Sequence, residues 1–262
     1  MPMRCRRRKE TLNMAAKLIV NGHTFSSETP TICVPITGAK VDEILSQANE
    51  YAKNNVEMVE WRADLFESGE DVEVVLDVLG QIREVLQSSV LLFTVRSKVQ
   101  GGQGTMASEP LLELLKKVSA SKNVDIIDVE VDMWKRAFEV VDLIHEAGVK
   151  VIGSYHDFNS TPSIEEMGEI FGRTFAAGVD IVKLAVMPKT PQDVANLLLA
   201  TSSFSDHHDD TPVISMSMGR LGAISRIGCY TFGSCVTFAA LGETSAPGQL
   251  GYAAMREIIS QM

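Results

Sequence analysis

From residue 31 onward, short apolar runs alternate with longer stretches in which apolar side chains recur every three or four positions. The short runs (31–36, 56–61, 90–95, 125–129, 150–155, 180–186, 212–216 and 236–241) read as strands buried in a parallel sheet. The stretches that follow them (41–53, 72–86, 109–119, 135–147, 164–177, 191–204, 223–227 and 252–259) carry the periodicity of amphipathic helices. Eight such pairs with no Gly/Ser-rich linker predict an α/β protein, a (β/α)8 TIM barrel spanning 17–262 as a single catalytic domain. An open doubly wound sheet fits less well, because the count is eight and no strand–GxGxxG–helix fingerprint occurs. Ahead of the first strand, Asn21-Gly22 between short apolar runs predicts an N-terminal β-hairpin.

Composition narrows the picture. The 262-residue chain is 45% hydrophobic and 22% charged, as in a soluble globular protein. No apolar run approaches membrane-spanning length, so no membrane partner is expected. A net charge of −10 argues against general nucleic-acid binding. The balance is uneven: Arg4, Arg6, Arg7, Arg8 and Lys9 against Glu10 leave the first ten residues at +4 and residues 11–262 at −14. Residues 1–16 lack the apolar core of a secretory signal and are expected to form a disordered basic extension; a targeting fragment and a nucleic-acid-binding arm are the other readings. Cys5, Cys33, Cys229 and Cys235 make no CxxC pair and no zinc spacing, which suits a reducing, cytoplasmic setting.

In a barrel the chemistry sits at the C-terminal ends of the strands. Lys183 interrupts the sixth strand on the same face as Ile181 and Ala185. It is either a lysine whose stem packs while its ammonium reaches water, or an amine desolvated among apolar neighbours (Ile181, Ala185, Met216) and able to attack a carbonyl. Glu60 and Arg62 share a face at the end of the second strand, as a structural ion pair or a pair aimed at a ligand. The third strand ends at Arg96 and a glycine-rich stretch, Gln100-Gly101-Gly102-Gln103-Gly104, that lacks the Lys-Ser/Thr of a P-loop and reads as a flexible active-site loop. Asp128 and Glu130 lie on one face of the fourth strand, and either could support the site. His156, closing the fifth strand, is a candidate general acid/base. Arg226 follows the methionine-rich end of the seventh strand, and Ser245-Ala246-Pro247-Gly248-Gln249 after the eighth suits a lid. His207-His208-Asp209-Asp210 follows a helix on the opposite side of the barrel and reads as solvated surface. A lysine, a histidine and three arginines, without a three-ligand His/Asp/Glu group for a metal, suit a Schiff-base reaction on an anionic, oxygenated carbonyl compound.

The same residues resemble a known family, type I 3-dehydroquinate dehydratase, from about Lys17 to the C-terminus. The resemblance rests on Glu60-Trp61-Arg62-Ala63-Asp64, Phe93-Thr94-Val95-Arg96, Tyr155-His156-Asp157-Phe158, Val182-Lys183-Leu184-Ala185-Val186-Met187-Pro188, Ile214-Ser215-Met216-Ser217-Met218 and Ser245-Ala246-Pro247-Gly248-Gln249, in order on successive strands. It implies Lys183 as the Schiff-base lysine and His156 as the proton-transferring residue. Glu60, Arg62 and Arg96 would meet the ring hydroxyls, Arg226 the carboxylate, and Ser245 with Gln249 would close over it. The implied reaction takes 3-dehydroquinate to 3-dehydroshikimate and water, in the shikimate pathway to chorismate and aromatic amino acids, without metal or cofactor and typically in a homodimer. Two departures stand out. Gln100 replaces the family's glutamate partner of the catalytic histidine, which lowers the expected basicity of His156. Pro35 replaces a serine often found at the end of the first strand. A class I aldolase-type barrel and a non-catalytic ligand-binding homologue remain as alternatives.

Overall fold

The computed structural model describes residues 17–242 and 245–261; the basic segment 1–16 lies outside them. The chain opens with an antiparallel hairpin, β1 (Leu18–Val20) and β2 (His23–Phe25), turned by Asn21 and Gly22, both at positive φ. Glycine accepts that geometry freely and asparagine tolerates it, which is why the dipeptide signals the turn. Strands β3 (Thr31–Ile36), β4 (Met58–Arg62), β5 (Val90–Thr94), β6 (Ile126–Glu130), β7 (Lys150–Asp157), β8 (Ile181–Val186), β9 (Val213–Ser217) and β10 (Val236–Ala240) then form a parallel sheet in which β4 to β9 each pair with the strand before. A two-residue β11 (Leu250–Gly251) extends the sheet beside β10, and β10 also pairs with β3. Between β9 and β10 the sheet closes by a thin seam: the Cys235 N–H donates to the Val213 carbonyl at 2.8 Å, and the Ser215 N–H to Ser234 Oγ at 3.1 Å. The predicted barrel, with its hairpin, is the observed one.

Helices α1 (Val41–Lys53), α2 (Val72–Val85), α3 (Ser108–Ala120), α4 (Ala137–Glu146), α5 (Ile164–Ala176), α6 (Pro191–His207), α7 (Ala223–Gly228) and α8 (Tyr252–Ser260) follow the strands in turn. Their apolar stripes, such as Val75, Val78, Leu79 and Ile82 on α2, bury against the outward side chains of the sheet. Local signals set several helix starts. Ser163 with Glu166 forms a capping box on α5, and Thr190 with Asp193 and Pro191 does so on α6. Helix α6 ends three residues beyond the predicted point, at His207. His207 Nδ1 lies 2.7 Å from the Ser203 carbonyl, and the His208 ring stacks on Phe204 at 4.2 Å. Among the described residues no group of three or more metal-ligating side chains occurs, and no helix is long and apolar enough to cross a membrane.

The inward side chains divide the barrel into layers. Near the N-terminal ends they are apolar: Cys33, Met58, Val90, Leu92, Ile126, Ile152, Ile181, Ile214 and Val236 form one buried cluster. Val20 and Phe25 of the hairpin join that cluster and plug this end. Two carboxylates fix the strands here. Asp125 accepts from Arg83 at 2.6 Å and from the Leu91 N–H at 2.8 Å. Asp180 accepts from Lys150 and the Val151 N–H, both at 2.8 Å, with His145 Nε2 at 2.6 Å. One step further up each strand the interior turns polar, and there the candidate site begins.

Candidate active site

At the C-terminal ends of the strands a small, half-open cavity lies in the barrel mouth. It is lined by all nine sequence-predicted residues: Glu60, Arg62, Arg96, Gln100, His156, Lys183, Arg226, Ser245 and Gln249. Alternation along β8 turns Lys183 inward between Ile181 and Ala185, and the residue is 4% exposed. The expected apolar surroundings are only half the picture. Lys183 Nζ is 3.2 Å from Asp128, 3.8 Å from Glu60 and 4.7 Å above the Phe238 ring. Two barrel-mouth carboxylates, from β4 and β6, thus face the amine beside its apolar neighbours, and Asp128 rather than Glu130 is the fourth-strand acid that reaches it.

Those carboxylates are already engaged. Asp128 accepts from Arg96 Nη2 at 2.8 Å, from Ser154 Oγ at 2.5 Å and from Lys183. Burial opposes its charge, but Arg96 and Lys183 outweigh burial and hold its pKa below the usual aspartate value. Glu130 accepts from Arg96 Nη1 at 2.8 Å, from the Ser97 N–H at 2.9 Å and from Ser97 Oγ at 2.6 Å. Glu60 accepts from Thr94 Oγ1 at 2.9 Å. Burial likewise opposes the charge of Arg96, yet Asp128, Glu130 and Glu60 keep its pKa well above that of an ordinary guanidinium. Arg62 does not pair with Glu60, one of the two readings of that motif. Its Nε and Nη2 donate instead to the two oxygens of Asp64, both at 2.8 Å.

His156 is partly buried at the end of β7, with its tautomer set by Gln100. Gln100 Oε1 accepts from the His156 backbone N–H at 2.8 Å and lies 3.0 Å from Nδ1. A backbone N–H only donates, so the Gln100 atom facing it is the oxygen. An amide oxygen only accepts, so Nδ1 carries the proton and Nε2 keeps its lone pair. Burial, followed by the charges of Arg96, Lys183 and Arg62, pushes the His156 pKa well below 6.5. The ring is therefore a neutral base at physiological pH.

The glycine-rich stretch beyond β5, read from sequence as a flexible loop, is tightly tethered. Gly104 N–H donates to the Arg96 carbonyl at 2.8 Å, and Gly102 N–H to that of Ser97 at 2.8 Å. A Cβ at Gly102 would sit 2.1 Å from the Arg96 oxygen, and one at Gly101 (φ +83) 2.3 Å from the Phe158 ring. Close backbone approach, not phosphate binding, requires glycine here.

Arg226, on α7, is 2% exposed, and among the described residues no carboxylate pairs with it. Nη2 donates to the Pro247 carbonyl at 3.0 Å, Nη1 faces Met216 Sδ at 3.7 Å, and Nε has no acceptor. Burial brings its pKa down to about 10. Ser245 and Gln249 bond to each other: the Ser245 N–H donates to Gln249 Oε1 and Gln249 Nε2 to Ser245 Oγ, both at 2.9 Å. Their segment rests on the β9–α7 turn, where the Gly219 N–H donates to the Pro247 carbonyl at 3.0 Å. Sequence reasoning assigned no role to Asp64, Ser154, Phe158, Met218 or Phe238, although alternation along β7 and β10 places Ser154 and Phe238 inward.

A closed parallel barrel with an amine, an imidazole and guanidinium groups converging on one pocket at its C-terminal strand ends defines an α/β-barrel enzyme. Residues 32–262 match the family described as type I 3-dehydroquinase. The 3-dehydroquinate dehydratase of Klebsiella pneumoniae (strain 342) is 39% identical over 247 residues, covering 94% of this chain and 98% of that one. Among solved structures, the 3-dehydroquinate dehydratase of Geobacillus kaustophilus HTA426 superposes with a TM-score of 0.91 at 33% identity, over 95% of this chain and 97% of that one. The type I 3-dehydroquinate dehydratase of Clostridium difficile, described with covalently modified comenic acid, gives 0.90 at 38% identity, over 95% and 98%. The chain belongs to the type I 3-dehydroquinase family, and it is a hydro-lyase.

Proposed function

We propose that this chain converts 3-dehydroquinate to 3-dehydroshikimate and water through a Schiff base on Lys183, as a step of the shikimate pathway to chorismate and aromatic amino acids. The observation that carries the reading is Lys183 Nζ opening into a cavity shared with a neutral His156 and the Arg226 guanidinium, which has no counter-ion among the described residues. A buried cation without a counter-ion is a site for a carboxylate, and a charge-assisted contact there orients the ring. Arg62 and Arg96 each keep N–H groups beyond those spent on Asp64, Asp128 and Glu130, and with Glu60 they meet the ring hydroxyls. Ser245 and Gln249 exchange their mutual hydrogen bonds for contacts to the bound acid. The relative from C. difficile, described with a covalently modified ligand, supports covalent chemistry in such a site.

In this mechanism the Lys183 ammonium gives a proton to His156 Nε2, and the freed amine adds to the ketone. The same proton returns to the carbinolamine hydroxyl, which leaves as water and gives an iminium that draws electrons from the adjacent carbon. Nε2 of His156 takes the proton from that carbon. The electron pair forms the new C=C bond as the β-hydroxyl departs with a proton returned by the imidazolium. Hydrolysis of the iminium releases the enone and restores the amine. Asp128 and Glu60 hold the nitrogen in place and stabilise the cationic iminium that succeeds the ammonium. No metal or organic cofactor takes part, and we place the enzyme in the cytoplasm as a homodimer.

Two measurements test the reading. Incubation with 3-dehydroquinate should generate the ultraviolet absorbance of a conjugated enone, and borohydride added during turnover should leave a mass increase on the Lys183 peptide. Lys183→Met should show neither, whereas His156→Ala should lose most turnover and still trap some adduct. A trapped adduct on another lysine, or full activity in Lys183→Met, refutes it.

A further inference from the structure

Asp64 lies just past β4, in a single 3-10 turn, and its side chain is entirely buried. Its two oxygens receive the Nε and Nη2 donors of Arg62, which fixes the guanidinium plane and leaves the remaining N–H groups to the cavity. The same carboxylate accepts the Gln103 N–H at 3.0 Å. Gln103 belongs to the tethered segment that carries Gln100, whose opposite end is held by Glu130 through Ser97. Between these two anchors Gln100 meets both donors of His156. Burial raises the cost of a charged Asp64, and the Arg62 and Gln103 donors offset it, holding the pKa below the usual value.

We propose that Asp64 is a positioning residue for the dehydration, one carboxylate that aims Arg62 at the substrate and also fixes the loop that sets the His156 tautomer. The proposal rests on the function proposed above, and it accounts for a carboxylate rather than an amide at this position. Three donors converge on two oxygens, and an asparagine would turn its NH2 group toward one of them. A purely structural aspartate would influence unfolding alone. A partner of Arg62 alone would influence substrate binding alone.

The test compares Asp64→Asn, Arg62→Ala and the double variant in steady-state turnover of 3-dehydroquinate, with the imidazole ¹⁵N spectrum of His156 recorded without substrate. Asp64→Asn should raise KM and lower kcat, each about ten-fold, as small misplacements of reacting groups do. In the Arg62→Ala background it should still lower kcat several-fold, and the His156 spectrum should change from a pure Nδ1–H form to a mixture of tautomers. Gln103→Pro removes one loop donor without touching the carboxylate. It should reproduce the kcat and tautomer changes with KM unaltered, and it stands in if Asp64→Asn fails to fold. An unchanged tautomer with no effect of Asp64→Asn in the Arg62→Ala background overturns the proposal, as does a loss of thermal stability with kinetics intact. Absence of turnover in the unsubstituted enzyme would count against the proposed function instead, and the tautomer measurement stands apart from that outcome.

Discussion

The two sides of the cavity treat buried positive charge in opposite ways. On the β4–β8 side, Arg96 is 4% exposed and meets Asp128 and Glu130 within 2.8 Å, so its desolvation is offset inside the protein. On the α7 side, Arg226 is equally buried and, among the described residues, finds only a carbonyl and a thioether. A cation paired in the folded chain helps hold the site together whatever N–H groups it still offers a ligand, because its partners are present before any ligand arrives. A cation left unpaired retains attraction for an anion, at some expense of stability. The contrast separates wall from clamp without reference to which residues touch solvent.

The largest effect should come from breaking the wall. Arg96→Met strands Asp128 and Glu130 as buried charges and should lower unfolding free energy by about 3–5 kcal/mol, read from urea melts. A loss below about 1 kcal/mol would erase the contrast. Next, Arg226→Met should cost about 2–4 kcal/mol in binding of a carboxylate-bearing ring analogue, by calorimetry, while leaving stability level or slightly higher. Collapse of the fold with ligand binding unchanged would show that the guanidinium is scaffold after all.

Acid should act on the wall as well. The folded-state pKa values of Asp64 and Asp128 are depressed from 3.8. Their stabilisation is therefore complete above about pH 4 and is lost as pH falls through the lower folded values. His156 is also depressed, from 6.5, so the unfolded chain takes up its proton first and stability declines as pH drops below about 6.5 toward the folded value. Unfolding free energy measured from pH 7 to pH 3 should fall in two stages, and His156→Gln should remove the upper one. The smallest effect belongs to Phe238→Leu. It removes the aromatic face 4.7 Å from Lys183 Nζ and should change stability by about 1 kcal/mol, because Asp128 still holds the ammonium.

Much of this architecture was legible in the order of residues. The alternation of apolar runs and amphipathic stretches set the eight strand–helix pairs, since backbone hydrogen bonding and burial permit few other arrangements of that pattern. Period-two alternation alone turned Glu60, Arg62, Asp128, Lys183 and Phe238 toward one interior. Asn21-Gly22 fixed the hairpin, because positive φ is a local property of two residues. Boundaries were less legible: β4, β6 and β9 each begin one or two residues later than predicted, and α6 runs on to His207, because contacts with neighbouring elements decide where a strand or helix stops.

What the sequence could not carry is who pairs with whom across strands. Arg62 lies two residues from both Glu60 and Asp64, and only the chain's turn after β4 decided for Asp64. Asp128 and Glu130 are equivalent by alternation, yet one reaches Lys183 and the other holds the Gln100 loop. The surroundings of Lys183 looked apolar along its own strand, and its ion-pair partners came from β4 and β6. Sequence specifies the period of a strand and hence the face a side chain occupies. Electrostatics at 3 Å depends on the register and curvature of the closed sheet, which exist only once all eight strands have met.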